Sequence, residues 1–215
     1  MRLLVVLMVL CAWATIPANA QSASPSRTQG VSSWTAFERT WSNVSSYSAT
    51  VAVFERDGAQ VQNSVLDYTF RKPASATVHF IAGKNAGVTV VWNGGNTVVA
   101  HRGSGIFGLF TKTFTLHDPE VTTVRGSSID QLSFPAMLAH LQATPGTVSQ
   151  APGIPILGVA TETVTLVASS PIADTGLTSE SIEFALPTGL PLRILGYEGA
   201  TLVRQIDFSN IKLQP

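Results

Sequence analysis

The sequence predicts an α+β fold dominated by strands: a curved antiparallel sheet with one N-terminal helix and an internal helix. Apolar residues recur at helical spacing between Trp34 and Val44, and from Tyr47 onward the period changes to two. Gly, Pro, Asn or Asp separates most of the later apolar runs. Many short strands joined by turns make a meander rather than βαβ units.

The chain opens on Met1-Arg2, an apolar run over 3–14 and the small-x-small triplet Ala18-Asn19-Ala20. That order predicts a secretory signal peptide over 1–20, cleaved before Gln21. The apolar run is short of the roughly 20 residues that a spanning helix needs. Cys11 is the sole cysteine, and the bulky Leu10 before it argues against a lipidation signal. A mature chain without cysteine has neither a disulfide nor a thiol nucleophile, so its core must hold it. Residues 21–31 carry Ser, Pro and Gly without period and predict a flexible arm, leaving 32–215 as a single domain.

Trp34, Phe37, Trp41 and Val44 share one helix face, with Ser33 placed to act as N-cap. Residues 47–56 alternate, with Tyr47, Ala49, Val51 and Val53 on one side, and Asp57-Gly58 signals a hairpin turn to a partner strand over 61–70. Further strands are expected at 76–81, 87–92, 97–102, 111–117, 158–167, 177–185, 191–197 and 201–208. A second helix is expected at 133–142, with Pro135 in its first turn and Met137, Leu138 and Leu141 facing inward. The Pro- and Gly-bearing stretch 144–155 reads as a long exposed connection. No internal repeat of fixed period is present.

Composition narrows the function. Charged residues make up 12% of the chain, 13 basic against 13 acidic, so no basic surplus exists to neutralise nucleic acid or an anionic membrane. Gly103-Ser104-Gly105-Ile106-Phe107-Gly108 spells G-x-G-x-x-G, but an alternating strand follows where a dinucleotide site needs a helix. His79, His101, His117 and His140 fall on separate elements without metal-binding spacing. No G-x-S-x-G elbow occurs, and His117-Asp118-Pro119-Glu120 is ordinary turn chemistry. Asn43-Val44-Ser45 matches a glycosylation sequon by chance at a helix end. Neither an enzyme, a cofactor nor a metal is expected, although residues distant in sequence can still converge in a pocket.

A greasy ligand has some warrant from the residues alone. Ile106, Phe107, Leu109 and Phe110 stand among glycines in a predicted loop, either as a mouth or lid that meets a ligand or membrane, or folded back onto the core. The Trp34, Phe37 and Trp41 stripe can likewise pack the core or line a cavity, and so can Trp92 at the end of its strand.

In order along the chain, the amphipathic first helix, the junction Val44-Ser45-Ser46-Tyr47-Ser48-Ala49, the basic residues before Pro73, the turn Trp92-Asn93-Gly94-Gly95-Asn96, and Thr188-Gly189-Leu190-Pro191 followed by Gly196-Tyr197-Glu198-Gly199 and the run from Val203 to Ile211 form a consistent set. Together they resemble the periplasmic lipoprotein carrier and receptor superfamily, LolA-like and lipoprotein-sorting-type proteins, over most of 34–213. The resemblance implies a half-open barrel covered by one N-terminal and one or more internal helices, in a non-catalytic envelope protein exported across the inner membrane to the periplasm, a monomer binding a lipid or the acyl chains of a lipoprotein in an apolar cavity for transport or sorting between membranes. It also implies a membrane-bound donor or acceptor protein as partner. The alternative is an envelope sensor or assembly module on the same scaffold, with no lipid cargo. In the carrier, an arginine before the strand-end proline hydrogen-bonds to the lid. Lys72 holds that position here and Arg71, one residue earlier, faces the opposite side of the strand. Candidate cavity and lid residues are therefore Trp34, Phe37, Trp41, Lys72, Trp92, Phe107, Leu109 and Phe110.

Overall fold

The computed structural model describes residues 32–103 and 110–215. The expected signal peptide and arm, and the loop residues Phe107 and Leu109, lie outside the described residues. Helix α1 (Ser32–Ser42) leads into six strands, β1 (Ser46–Asp57), β2 (Gln60–Arg71), β3 (Ser75–Gly83), β4 (Val88–Trp92), β5 (Thr97–Arg102) and β6 (Phe110–Thr115). Helix α2 (Phe134–Ala143) follows, then β7 (Gly146–Pro152), β8 (Thr161–Ala168), β9 (Ser179–Ala185), β10 (Pro191–Glu198) and β11 (Thr201–Gln214).

All eleven strands form one antiparallel sheet in the order β6-β5-β4-β3-β2-β1-β11-β10-β9-β8-β7. It is open, since β6 and β7 are its two edges; the antiparallel meander is the one that the alternation predicts, and the unclosed, half-open form is the one that the family resemblance implies. Two meanders, β1 to β6 and β7 to β11, meet where the first strand pairs with the last from Ser46↔Gln214 to Glu55↔Arg204. Inward positions alternate as the sequence implies: Tyr47, Ala49, Val51 and Val53 are buried, and so are Leu66, Tyr68 and Phe70 opposite them on β2. The β1–β2 turn needs a residue with positive φ, and Gly58 supplies it at +54°.

Two stretches differ from expectation. Part of the presumed connection over 144–155 is the edge strand β7, paired along its length with β8. From Thr147 to Pro152 its residues are exposed, so no buried face imposed an alternating pattern, and its closing Pro152 suits an edge. Strand β11 runs on to Gln214 instead of stopping at Phe208. A bulge opposite Ser48–Thr50, with Asn210 at φ 52°, breaks the alternation there and conceals the continuation.

The two helices cover the inner face of the sheet. Pro135 sits in the first turn of α2, whose N-terminus is capped by Ser133 accepting from the Ala136 N–H; Phe134, Met137, Leu138 and Leu141 are buried. Phe134 stacks on Tyr47 with ring centres 4.1 Å apart and meets Phe208 edge-on at 5.3 Å. Its backbone N–H donates to the Tyr47 hydroxyl at 3.3 Å, while the Tyr68 hydroxyl donates to the Ile129 carbonyl. Burial pushes both phenols far above their ordinary pKa, so they remain neutral hydrogen-bonding groups.

Helix α1 is fastened at three places. Ser33 proves to lie inside the helix and not at its cap. Its N–H and the Ser32 hydroxyl both donate to the Glu162 carboxylate of β8, at 3.0 and 2.8 Å, so the acid satisfies the helix start from outside. Burial acts to raise the Glu162 pKa, but these hydrogen bonds outweigh it and hold the carboxyl below its usual value. Midway, the Thr40 hydroxyl donates to the Thr188 carbonyl, and the next residue, Gly189, at φ 68°, lies so close beneath the helix that a Cβ there would strike Phe37 N and Ser33 O. At the far end, the Lys72 ammonium donates to the Trp41 carbonyl at 2.6 Å and sits 4.6 Å from the centre of the Trp41 ring.

Gly189→Ala should therefore lower stability by at least about 2 kcal/mol, through backbone strain and overpacking together. Gly95→Ala, with open space around its added Cβ, should stay within about 0.5 kcal/mol. Urea midpoints of the two variants check both values.

Candidate functional site

A cavity of about 900 Å³ lies between the inner face of the sheet and the segment that joins β6 to α2. One wall is apolar and comes from alternating positions of five neighbouring strands: Val53, Leu66, Val78, Val90 and Ala100. The opposite wall is Val121, Ile129 and Leu132 of the joining segment with Met137 of α2. Each strand contributes a small or medium aliphatic where the core elsewhere holds Tyr47, Tyr68, Phe70 and Phe134, so the smaller residues leave the space that the aromatics would have filled. The exposed side chains of Phe110, Lys112 and Arg102 stand at its rim, with Lys112 paired to Glu120 at 2.9 Å.

The other end of the cavity is polar and buried. Glu55 is completely shielded from solvent, and Arg204 of β11, its partner across the β1–β11 ladder, donates to it from Nε at 3.1 Å. Ser127 of the joining segment donates to the same Glu55 oxygen at 3.0 Å and accepts from Arg204 Nη2 at 2.9 Å, closing a triangle. The Arg125 backbone N–H donates to the second Glu55 oxygen at 3.3 Å. Glu180 of β9 lies 3.5 Å from Arg204 Nη1, and His140 of α2 makes a 2.9 Å hydrogen bond to the buried Asp174 and lies 4.0 Å from Glu180. The bond to Asp174 raises the His140 pKa against the opposing effect of burial, with Glu180 and Asp174 adding charge attraction. Desolvation raises the Glu180 pKa in spite of the nearby Arg204.

The sequence candidates divide between two places. Phe110 stands at the cavity rim, 85% exposed. Trp34, Phe37, Trp41 and Lys72 gather at the α1 end of the sheet instead. There Phe37 stacks on Trp41 at 5.7 Å and Trp41 packs against Tyr47 and Phe70. Trp92 is buried and donates from its indole to the Gly95 carbonyl at 2.7 Å, fixing the β4–β5 turn. None of these five lines the cavity. Phe107 and Leu109 lie outside the described residues.

The polar end escaped the sequence reading because its members span β1, the joining segment, α2, β9 and β11 without any spacing motif. A signal was nonetheless present: Glu55 continues the inward series Tyr47-Ala49-Val51-Val53, Glu180 shares parity with Ile182 and Phe184, and Arg204 with Ile206 and Phe208. A charge at an inward strand position needs a partner or a ligand. Among the described residues no cluster of His, Asp and Glu is arranged to hold a metal ion, and no helix is long and apolar enough to cross a membrane.

Sheet and cavity together form an open half-barrel with an amphipathic interior. No protein-family model matches the chain, and no curated protein matches it. Among solved structures it is similar to a LolA superfamily protein from Nitrosomonas europaea, at 9% identity over 86% of this chain and 95% of that one, with a TM-score of 0.40. It is also similar to the lipoprotein LppX of Mycobacterium tuberculosis, at 14% identity over 83% of this chain and 92% of that one, with a TM-score of 0.46. A third similarity is to the MucA/MucB complex of Pseudomonas aeruginosa, at 12% identity over 85% of this chain and 56% of that one, with a TM-score of 0.48. The superfamily that the sequence motifs resemble is thus among them.

Both raised pKa values give the fold the same pH dependence. A group that holds its proton more tightly when folded contributes stability that is present at low pH and lost as pH rises through its folded pKa. For His140 that loss begins above 6.5 and for Glu180 above 4.5. Urea unfolding across a pH series should show stability falling on the alkaline side of 6.5, and His140→Gln should flatten that part of the curve.

Proposed function

We propose that this protein binds a lipid or the acyl chains of a lipidated partner in the cavity, without reacting them, and serves transport or sorting between the membranes of a cell envelope. One observation carries the proposal: a space of about 900 Å³, walled by aliphatic side chains from five strands and closed at one end by buried polar groups. That volume lies toward the upper end of the roughly 300–1,000 Å³ typical of small-molecule sites. Each methylene moved from water into it contributes about 0.8 kcal/mol, enough for a single acyl chain to hold the protein in a loaded state. Release then requires a receiver that offers the chain an equally apolar setting, such as a membrane or a membrane-bound acceptor protein. The signal-like residues 1–20 fit export to the periplasm, where such an exchange between membranes takes place.

Native mass spectrometry of the mature protein, purified without detergent from its own envelope and followed by lipid extraction, tests the proposal directly. A bound lipid or lipopeptide near one per chain is the expected result. Val90→Trp, which places an indole in the middle of the apolar wall, should reduce uptake of an added acyl chain at least tenfold while the protein still melts cooperatively. A clean apo mass that also refuses added acyl chains would overturn the proposal in favour of an interaction module that recognises protein alone.

A further inference from the structure

The polar end of the cavity is short of positive charge. Two carboxylates, Glu55 and Glu180, line it beside two guanidiniums, Arg204 and Arg125, and one imidazole, His140. Arg125 is committed to Glu198 at 2.7 Å and His140 to Asp174 at 2.9 Å, both carboxylates outside the lining, so Arg204 alone stands between Glu55 and Glu180 and one negative charge remains uncompensated. That charge is best assigned to Glu180, which lines the cavity, is only 4% exposed, and has as its two cationic neighbours Arg204 at 3.5 Å and His140 at 4.0 Å. Both contacts are long for a buried carboxylate, whose lone pairs ordinarily find donors within about 3 Å.

From this geometry we infer that the cavity selects an amphiphile with a cationic ammonium head, whose N–H groups reach Glu180 while its hydrocarbon chain lies along the aliphatic wall. The inference rests on the lipid-binding reading above and adds the head-group class to it. An ammonium brings the missing charge and up to three donors in one small group. A carboxylate or phosphate head in the same position would face Glu180 and Glu55 with like charge in a desolvated site. An anionic amphiphile would have to bind the other way round, its head among Arg102 and Lys112 at the rim.

Displacement of the apolar dye N-phenyl-1-naphthylamine by dodecylamine, dodecanoate and monolauroylglycerol, all of equal chain length and used below their micelle concentrations, separates the outcomes. Dodecylamine should bind about tenfold or more tightly than dodecanoate, with the neutral glyceride between them. Glu180→Gln, nearly isosteric, should reduce the affinity for the amine about tenfold and leave that for the glyceride within a factor of two. Equal affinities for amine and carboxylate, a preference for the carboxylate, or an amine preference that survives Glu180→Gln would each overturn the head-group assignment while leaving acyl binding intact. Failure of all three amphiphiles to displace the dye would overturn the lipid-binding reading itself. The comparison on the unaltered protein does not depend on how well the variant folds.

Discussion

A carboxylate with no access to water, Glu55, is the constraint around which the rest is arranged. Leaving it unpaired at the centre of the sheet would cost several kcal/mol, so its surroundings are obliged to supply donors. They come from across the sheet's main seam and from the layer above it: Arg204 across the β1–β11 ladder, Ser127 and the Arg125 backbone from the joining segment. One side chain thereby fixes the register of the two meanders against each other and holds the joining segment at a set height over the sheet. The cavity is the space left beneath that segment.

The division of labour between the two ends of the half-barrel follows from residue size. At the α1 end, Phe37, Trp41, Tyr47, Phe70 and Phe134 form a continuous aromatic pack in which stacking and edge contacts fill the interior. Toward β4 and β5 the inward positions shrink to Val78, Val90 and Ala100, and the interior stays open. Lys72 belongs to the filled end. It secures the last turn of α1 through the Trp41 carbonyl and so acts as a clasp on the helix.

Much of this architecture was legible in the sequence. A half-buried strand writes its burial into its alternation, and so does an amphipathic helix at its own period; hence α1, α2 and the hairpin of β1 and β2 were all foreseeable. Strand β7 was not, because from Thr147 onward an exposed edge strand has no buried face to mark it. The tail of β11 was hidden by a bulge that reverses parity at Asn210. The aromatic candidates gather at the α1 end, away from the cavity: large side chains are conspicuous in a sequence, whereas a cavity is made by modest ones. The charged end depends on strand order, which places Glu55 beside Arg204 although 149 positions separate them.

The pairing of the first strand with the last also sets the order in which the molecule can be made. A chain synthesised from its N-terminus completes β1 early, yet the partner for one edge of that strand arrives only with the final residues of β11, Thr201–Gln214. Until then the β1–β6 meander has an unpaired inner edge beside an aliphatic face. Contacts so distant along the chain slow folding, because the entropy of closing the loop is lost before any of them forms. The interval is one in which a sticky, half-finished sheet must be kept from its neighbours, and nascent copies of this protein should therefore depend on a holding chaperone more than their finished stability suggests.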